Sequence, residues 1–128
     1  ESSITKATPA GNTTIEDVVN DLSKAGSPID LLKALQLSPS DPDLLGDFSL
    51  KVLFMMGVNE QSKRFVTFSI ARARKLGKDN PIVFYRSAQI EKMLNNQTDA
   101  LKYIDRAIEL DSANTAYSDF KKSLLQNN

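Results

Sequence analysis

The stretch 81–114, PIVFYRSAQIEKMLNNQTDALKYIDRAIELDSAN, decides the fold expected for this chain. Two segments with apolar residues at helical spacing are separated by the pair Asn95-Asn96, which favours a turn. In the second segment Ala100, Ile104 and Ala107 recur at spacings of four and three, so they share one helix face. The stretch therefore predicts two helices joined by a short turn, an αα-hairpin.

The same pattern occurs 34 residues earlier in the chain, where Ile70 matches Ile104 and Ala73 matches Ala107. A fixed period of this length is typical of a solenoid in which one hairpin stacks on the next. No run of alternating apolar and polar residues predicts a strand. The sequence thus predicts repeated helical hairpins along most of its length.

Caps, prolines and glycines mark where the predicted helices begin and end. Three cap–proline pairs predict helix starts: Ser27-Pro28, Asp41-Pro42 and Asn80-Pro81. Thr13 and Glu16 form a capping-box pattern that predicts the start of the first helix. Gly26 is expected to end that helix, and Gly77 is expected to end the fourth helix as a left-handed residue.

Apolar stripes predict which side of each helix is buried. The first helix carries a stripe at i, i+3, i+4, i+7: Ile15, Val18, Val19 and Leu22. The second carries Leu31, Leu32 and Leu35. These residues are expected to face the core.

This pattern resembles the tetratricopeptide repeat family. Phe84 stands at the large aromatic position of the first helix of a repeat, and Ala88 at the small position where the two helices touch. Ala100, Ile104 and Ala107 stand at the small, large and small positions of the second helix. Small residues admit the neighbouring helix closely, and large ones fill the remaining space.

The resemblance also has departures. Ser87 replaces the usual leucine, Glu91 occupies a position that is normally aromatic, and Asn95 stands where glycine is usual. The resemblance spans about residues 13–126 and comprises one well-matched repeat, one distorted repeat and one degenerate repeat.

The resemblance implies an all-α fold of antiparallel helix hairpins stacked as a short right-handed superhelix, with a C-terminal capping helix. Residues 1–12, rich in Ser, Thr, Ala, Pro and Gly, are expected to be a flexible leader. Residues 13–126 are expected to form a single helical domain of this type.

The residue types that most catalytic and metal sites need are missing from the sequence. The chain has no His and no Cys, which excludes Cys/His zinc sites, Cys nucleophiles, Ser-His-Asp triads and disulfides. Most acids stand at helix starts, where a carboxylate offsets unsatisfied backbone N–H groups. We therefore expect no enzyme activity, no catalytic residue, no metal site and no cofactor. No apolar run is long enough to cross a membrane.

The resemblance implies that the chain binds a protein or peptide partner. Family members use the inner wall formed by the first helices of the repeats. Here the residues at the outward positions of that wall are Tyr85, Arg86, Gln89 and Lys92. These four are the predicted partner-binding residues.

Two other functions stay open at this point. One is an accessory or regulatory domain fused to an enzyme, a role in which repeats of this kind also serve. The chain opens with Glu1, which suggests a processed protein or a fragment of a longer, exported or membrane-anchored one. The other alternative is an anion- or nucleic-acid-binding module. Residues 1–62 hold nine acids and four bases, whereas residues 63–128 hold seven acids and twelve bases. The bases that could meet phosphates lie on or beside one predicted helix: Lys63, Arg64, Arg72, Arg74, Lys75 and Lys78. Phe65 and Phe68 of the same helix are expected to pack in the core, which leaves no aromatic ring to stack on a base. We therefore do not expect nucleic acid as the partner.

Overall fold

The structure is a computed structural model that describes residues 13–126. Within that range the chain is all-α, with no strand. Seven helices follow one another: α1 Ile15–Ala25, α2 Pro28–Leu37, α3 Pro42–Met56, α4 Glu60–Leu76, α5 Pro81–Met93, α6 Gln97–Leu110 and α7 Thr115–Gln126. The predicted leader, residues 1–12, lies outside the described residues.

The helices pack as consecutive hairpins. α1 packs on α2, α3 on α4 and α5 on α6, and α7 packs on α6. Each hairpin also contacts the next, through α2 with α3 and through α5 with both α3 and α4. Short turns join all of these helices, so helices of one hairpin run in opposite directions. The all-helical hairpin prediction is confirmed, and the right-handed superhelical stacking stays a prediction.

The helix starts follow the predicted chemistry, with one correction. The side chains of Ser27, Asp41 and Asn80 accept hydrogen bonds from backbone N–H groups of α2, α3 and α5, and a proline follows each cap. The predicted cap at Thr13 is wrong by one residue. Thr14 caps α1, because its hydroxyl accepts from the N–H of Asp17 while the Asp17 carboxylate accepts from the N–H of Thr14, at 3.1 Å each.

Buried residues form three clusters that lie between successive helices. The first, around α1, α2 and the start of α3, contains Val19, Leu31, Ala34 and Leu44. The second, between α3, α4 and α5, contains Leu50, Val52, Leu53, Val66, Ile70, Ala73, Val83 and Ile90. The third, between α5, α6 and α7, contains Ala88, Ala100, Ile104, Ala107, Tyr117 and Leu124. The residues that recur 34 positions apart in the second and third hairpins, Ile70 with Ile104 and Ala73 with Ala107, are therefore all buried.

The first hairpin buries less of its apolar surface than its stripes predict. Val19 and Leu31 are buried, but Ile15 is 64% exposed, and Val18 and Leu32 are exposed as well. The prediction that all of these face the core is wrong. An apolar stripe gives the preferred side of a helix, whereas burial also requires a neighbouring element, and among residues 13–126 α1 has its main packing partner on one side only.

Gly77 ends α4 for a reason other than the predicted one. Its φ is −115°, which is not left-handed. A Cβ at this position would lie 2.9 Å from the Cβ of Pro42 and 3.2 Å from the Cβ of Asn80. The chain therefore needs glycine here because the first turns of α3 and α5 approach the end of α4 too closely for a side chain.

Candidate functional site

Tyr85 is a packing residue rather than a solvated one. Its ring centroid lies 5.0 Å from that of Tyr117 and 5.7 Å from that of Phe120, both on α7. Its side chain is half-buried against the third core cluster. The interpretation of Tyr85 as a freely accessible groove residue is wrong, because the capping helix α7 covers much of the ring.

Lys92 is exposed at the far end of α5. Its Nζ lies 5.6 Å from the centre of the Phe120 ring, close enough for a cation–π interaction. Its aliphatic stem and Tyr85 thus approach the same side of α7, while its ammonium group stays accessible to solvent.

Arg86 and Gln89 belong to a polar row that crosses from α3 to α5. The Nη1 group of Arg86 donates a hydrogen bond to Oε1 of Gln89 at 2.9 Å. The Nε of Arg86 lies 4.0 Å from Oδ1 of Asp47 on α3, and Lys51 Nζ lies 3.9 Å from the same oxygen. Arg86 Nε makes no hydrogen bond to any described residue. The carboxylate of Asp47 therefore serves two cations loosely, at distances too long for strong hydrogen bonds.

Two exposed apolar side chains flank this polar row. Phe54 follows Asp47 by seven residues and Lys51 by three, so it lies on the same side of α3, and it is 65% exposed. Ile82 precedes Arg86 by four residues on α5 and is 43% exposed. We call these residues the α3–α5 row: Asp47, Lys51, Phe54, Ile82, Arg86 and Gln89.

Sequence reasoning identified only Arg86 and Gln89 of this row. The α3 residues Asp47 and Lys51 were missed because the α3–α4 hairpin matches the repeat pattern with an insertion of about one helical turn. A signal for them did exist in the spacing Asp47, Lys51 and Phe54, which puts an acid, a base and an aromatic on one helix side.

The departures from the repeat pattern at Ser87 and Glu91 are explained by Arg74. This arginine lies on α4, and its Nη1 donates to the hydroxyl of Ser87 at 3.0 Å, while its guanidinium carbon lies 4.3 Å from the centre of the Tyr103 ring. The Ser87 hydroxyl in turn donates to the Val83 carbonyl at 2.9 Å. A leucine at position 87 would leave the Arg74 guanidinium without this acceptor.

Glu91 lies close to the same arginine. Burial raises the pKa of the Glu91 carboxyl above its ordinary value, and the negative charge of Asp99 raises it further. Arg74 and a hydrogen bond from Asn96 act in the opposite direction and reduce the rise. These residues form a structural polar contact between α4, α5 and α6. A small depression beside Asn96 is lined by Lys92, Asn95, Asn96, Gln97 and Leu124.

The outer face of α4 differs from expectation at two residues. Phe68, expected to pack in the core, is 74% exposed, and Phe65 is exposed as well, although it contacts Phe48 edge-on at 5.9 Å. Shallow depressions lie on both sides of Phe68, and they are bordered by the bases Lys63, Arg64, Arg72 and Lys75. The sequence argument against base stacking therefore does not hold for Phe68.

Among residues 13–126 no group of three or more acidic side chains could hold a metal ion. No helix in the same range combines the length and the apolar character needed to cross a bilayer. No model of a known protein family matches the chain, and no curated protein matches its sequence.

Proposed function

We propose that this chain is a tetratricopeptide-like interaction module that binds a peptide or protein segment along the α3–α5 row. The observation that carries the proposal is the arrangement of that row. Two first helices of successive hairpins lie side by side, and their shared outward side presents an acid, two bases and an amide between the exposed side chains of Phe54 and Ile82.

This arrangement suits an extended or helical peptide. Phe54 and Ile82 offer apolar area that is already exposed, so a partner can cover it without rearranging the core. Arg86 and Gln89 offer hydrogen-bonding groups. Because the Nε of Arg86 has no hydrogen-bond acceptor, a reorientation of the guanidinium toward a carboxylate of the partner would add a hydrogen bond without breaking one at this atom. Lys92, at the end of the same helix, extends the row with an exposed cation that lies 5.6 Å from the centre of the Phe120 ring. The role of Tyr85 in this function is to anchor α7 beside the row.

The test uses peptides selected from a displayed library of random short sequences, with affinities measured by fluorescence anisotropy. Phe54→Gln should weaken the selected peptides by at least about tenfold, because an exposed aromatic anchor dominates an interface of this kind. Phe68→Gln is the matched control, since Phe68 is also an exposed phenylalanine, at 74%, but lies on α4 outside the row. It should leave the affinity unchanged.

Both variants should keep the circular dichroism spectrum and unfolding midpoint of the parent chain, because both side chains are exposed. Failure to select any peptide, or equal affinity for the parent chain and Phe54→Gln, would refute the proposal for this row.

A further inference from the structure

Two helix faces outside the α3–α5 row are exposed, apolar at the centre and opposite in charge. The first is the basic α4 face: Arg64, Phe68, Ala71, Arg72 and Lys75. Its members follow Arg64 by four, seven, eight and eleven residues, so they share the side of α4 opposite the buried Val66, Ile70 and Ala73. Glu60, four residues before Arg64, lies at the N-terminal edge of this face, so three bases and one acid are present along it.

The second is the acidic α1 face: Ile15, Asp17, Val18 and Asp21. Ile15, Val18 and Asp21 follow one another at spacings of three, and Asp17 precedes Asp21 by four, so they form a continuous band around α1 with Ile15 and Asp17 at its two edges. The exposed Lys24, three residues after Asp21, borders the acidic edge. All four residues of the face are exposed, and Ile15 is 64% so. The face therefore presents two aliphatic side chains beside two carboxylates.

The α4 face has apolar depressions that an aliphatic side chain can cover. The small side chain of Ala71 leaves a depression on each side of Phe68, one bordered by Glu60, Lys63, Arg64 and Thr67, the other by Arg72 and Lys75. On the α1 face the two aliphatic side chains are three residues apart, or about 5 Å on a helix surface.

We propose that the basic α4 face of one copy of this chain binds the acidic α1 face of a second copy. Among residues 13–126 α1 packs on α2, whereas α4 packs on α3 and α5, and no other helix of that range covers either face. The carboxylates of Asp17 and Asp21 then meet the cations Arg64, Arg72 and Lys75. Residues 1–62 hold an excess of acids and residues 63–128 an excess of bases, so electrostatic attraction favours the orientation that brings the first half of one copy to the second half of the other.

Such a contact joins two different surfaces, so it is heterologous. Each added copy keeps one free face, and association continues head to tail instead of stopping at a symmetric dimer. The contact involves one helix from each copy and is small, so self-association is expected to be weak. It is also expected to weaken with salt, because the charge pairs are exposed.

The test is analytical ultracentrifugation of the whole chain from about 0.01 mM to about 1 mM, a range suited to a small interface. At about 0.05 M salt the average mass should rise above 14.1 kDa with concentration, and about 0.5 M salt should suppress the rise. Phe68→Glu inactivates the α4 face alone, and the double variant Ile15→Ser/Asp21→Asn inactivates the α1 face alone. Each should stay monomeric by itself.

Mixing the two variants gives the decisive measurement. The intact α1 face of Phe68→Glu should bind the intact α4 face of Ile15→Ser/Asp21→Asn, so an equimolar mixture should form a dimer and stop there. Leu125→Glu, which changes an exposed apolar residue on α7 outside both faces, should associate like the parent chain.

Three results would overturn the proposal. The first is a parent chain that stays monomeric across the whole range. The second is a mixture of the two variants that stays monomeric while the parent associates, since that would indicate a symmetric contact. The third is a monomeric chain that binds duplex DNA or anionic vesicles and loses this binding in Phe68→Glu, which would assign the α4 face to phosphate groups instead.

Discussion

Replacing Gly77 by alanine tests how closely the ends of three helices meet. The added Cβ would lie 2.9 Å from the Cβ of Pro42, 3.0 Å from its Cγ and 3.2 Å from the Cβ of Asn80. Carbon atoms in comfortable contact stand about 3.5–4.0 Å apart, so Pro42 or the backbone must move by more than half an ångström. Overpacking of this kind costs about 1–3 kcal/mol.

A smaller effect opposes this cost. Alanine restricts the unfolded chain more than glycine does, which stabilises the protein by about 0.4–1 kcal/mol where the native backbone suits it. The φ of −115° at Gly77 is open to alanine. At the middle of these two ranges the net loss of unfolding free energy in Gly77→Ala is about 1 kcal/mol, measured by urea denaturation followed by circular dichroism.

Two controls separate close approach from a special backbone conformation. Pro42→Gly removes both proline carbons, so Gly77→Ala should cost less in that background than in the parent chain. Gly26 does have a left-handed φ of 71°, so Gly26→Asn should be tolerated better than Gly26→Ala. At Gly77 asparagine should gain no such advantage. A neutral Gly77→Ala, or an equal cost in the Pro42→Gly background, would refute the reasoning.

Three further predictions concern the α5–α6–α7 region. Ala107→Leu, at a fully buried crossing, should lower the unfolding free energy by about 1–3 kcal/mol, and a neutral result in chemical denaturation would mean that the repeat register is wrong. Tyr85→Ala should lower it by about 2 kcal/mol through lost contact with α7, whereas Gln89→Ala should change it by less than about 0.5 kcal/mol; equal effects in thermal scans would contradict the packing described here. Folding raises the pKa of Glu91 above 4.5, so its protonated form favours the folded state and this stability is lost as pH rises through the raised pKa. The unfolding free energy of Glu91→Gln relative to the parent should therefore increase from about pH 4 to about pH 7, and a difference that is flat in pH would exclude a raised pKa.

Local signals predicted the helices well because they act within a few residues. A side chain at a cap bonds backbone groups two or three positions away, and a proline fixes its own φ, so Ser27-Pro28, Asp41-Pro42 and Asn80-Pro81 each marked a helix start that the structure confirms. The turn at Asn95 likewise has the left-handed φ, 62°, that its place in the pattern requires.

Whether a residue of an apolar helical stripe is buried depends on which other helices pack against it, and the sequence pattern does not show this. Ile15 and Ile104 are both isoleucines in helical stripes, yet Ile104 is fully buried because α5 and α7 both contact α6, whereas Ile15 is exposed at the start of α1. For the same reason Phe68, on the side of α4 away from α3 and α5, stays exposed despite its apolar ring.

For the predicted binding residues, the sequence predicted their helix but not their contacts with other helices. Tyr85, Arg86, Gln89 and Lys92 were placed on one helix by spacing, and they do lie on α5. Their surroundings came from other helices: Phe120 of α7 lies beside Tyr85 and Lys92, and Asp47 of α3 lies beside Arg86. None of these partners is within reach along the chain.

The sequence by itself determined that this protein is helical, where the three helices that start at a cap–proline pair begin, and that this chain offers no His or Cys side chain for chemistry. These follow from residue types and from forces that act over one helical turn. Only the tertiary structure decided that Tyr85 is covered, that Phe68 and Ile15 are open, and that Gly77 is needed for close approach instead of a left-handed turn. Those outcomes depend on atoms that are distant along the chain, such as the carbons of Pro42 beside Gly77, and packing brings such atoms together only once the helices have docked.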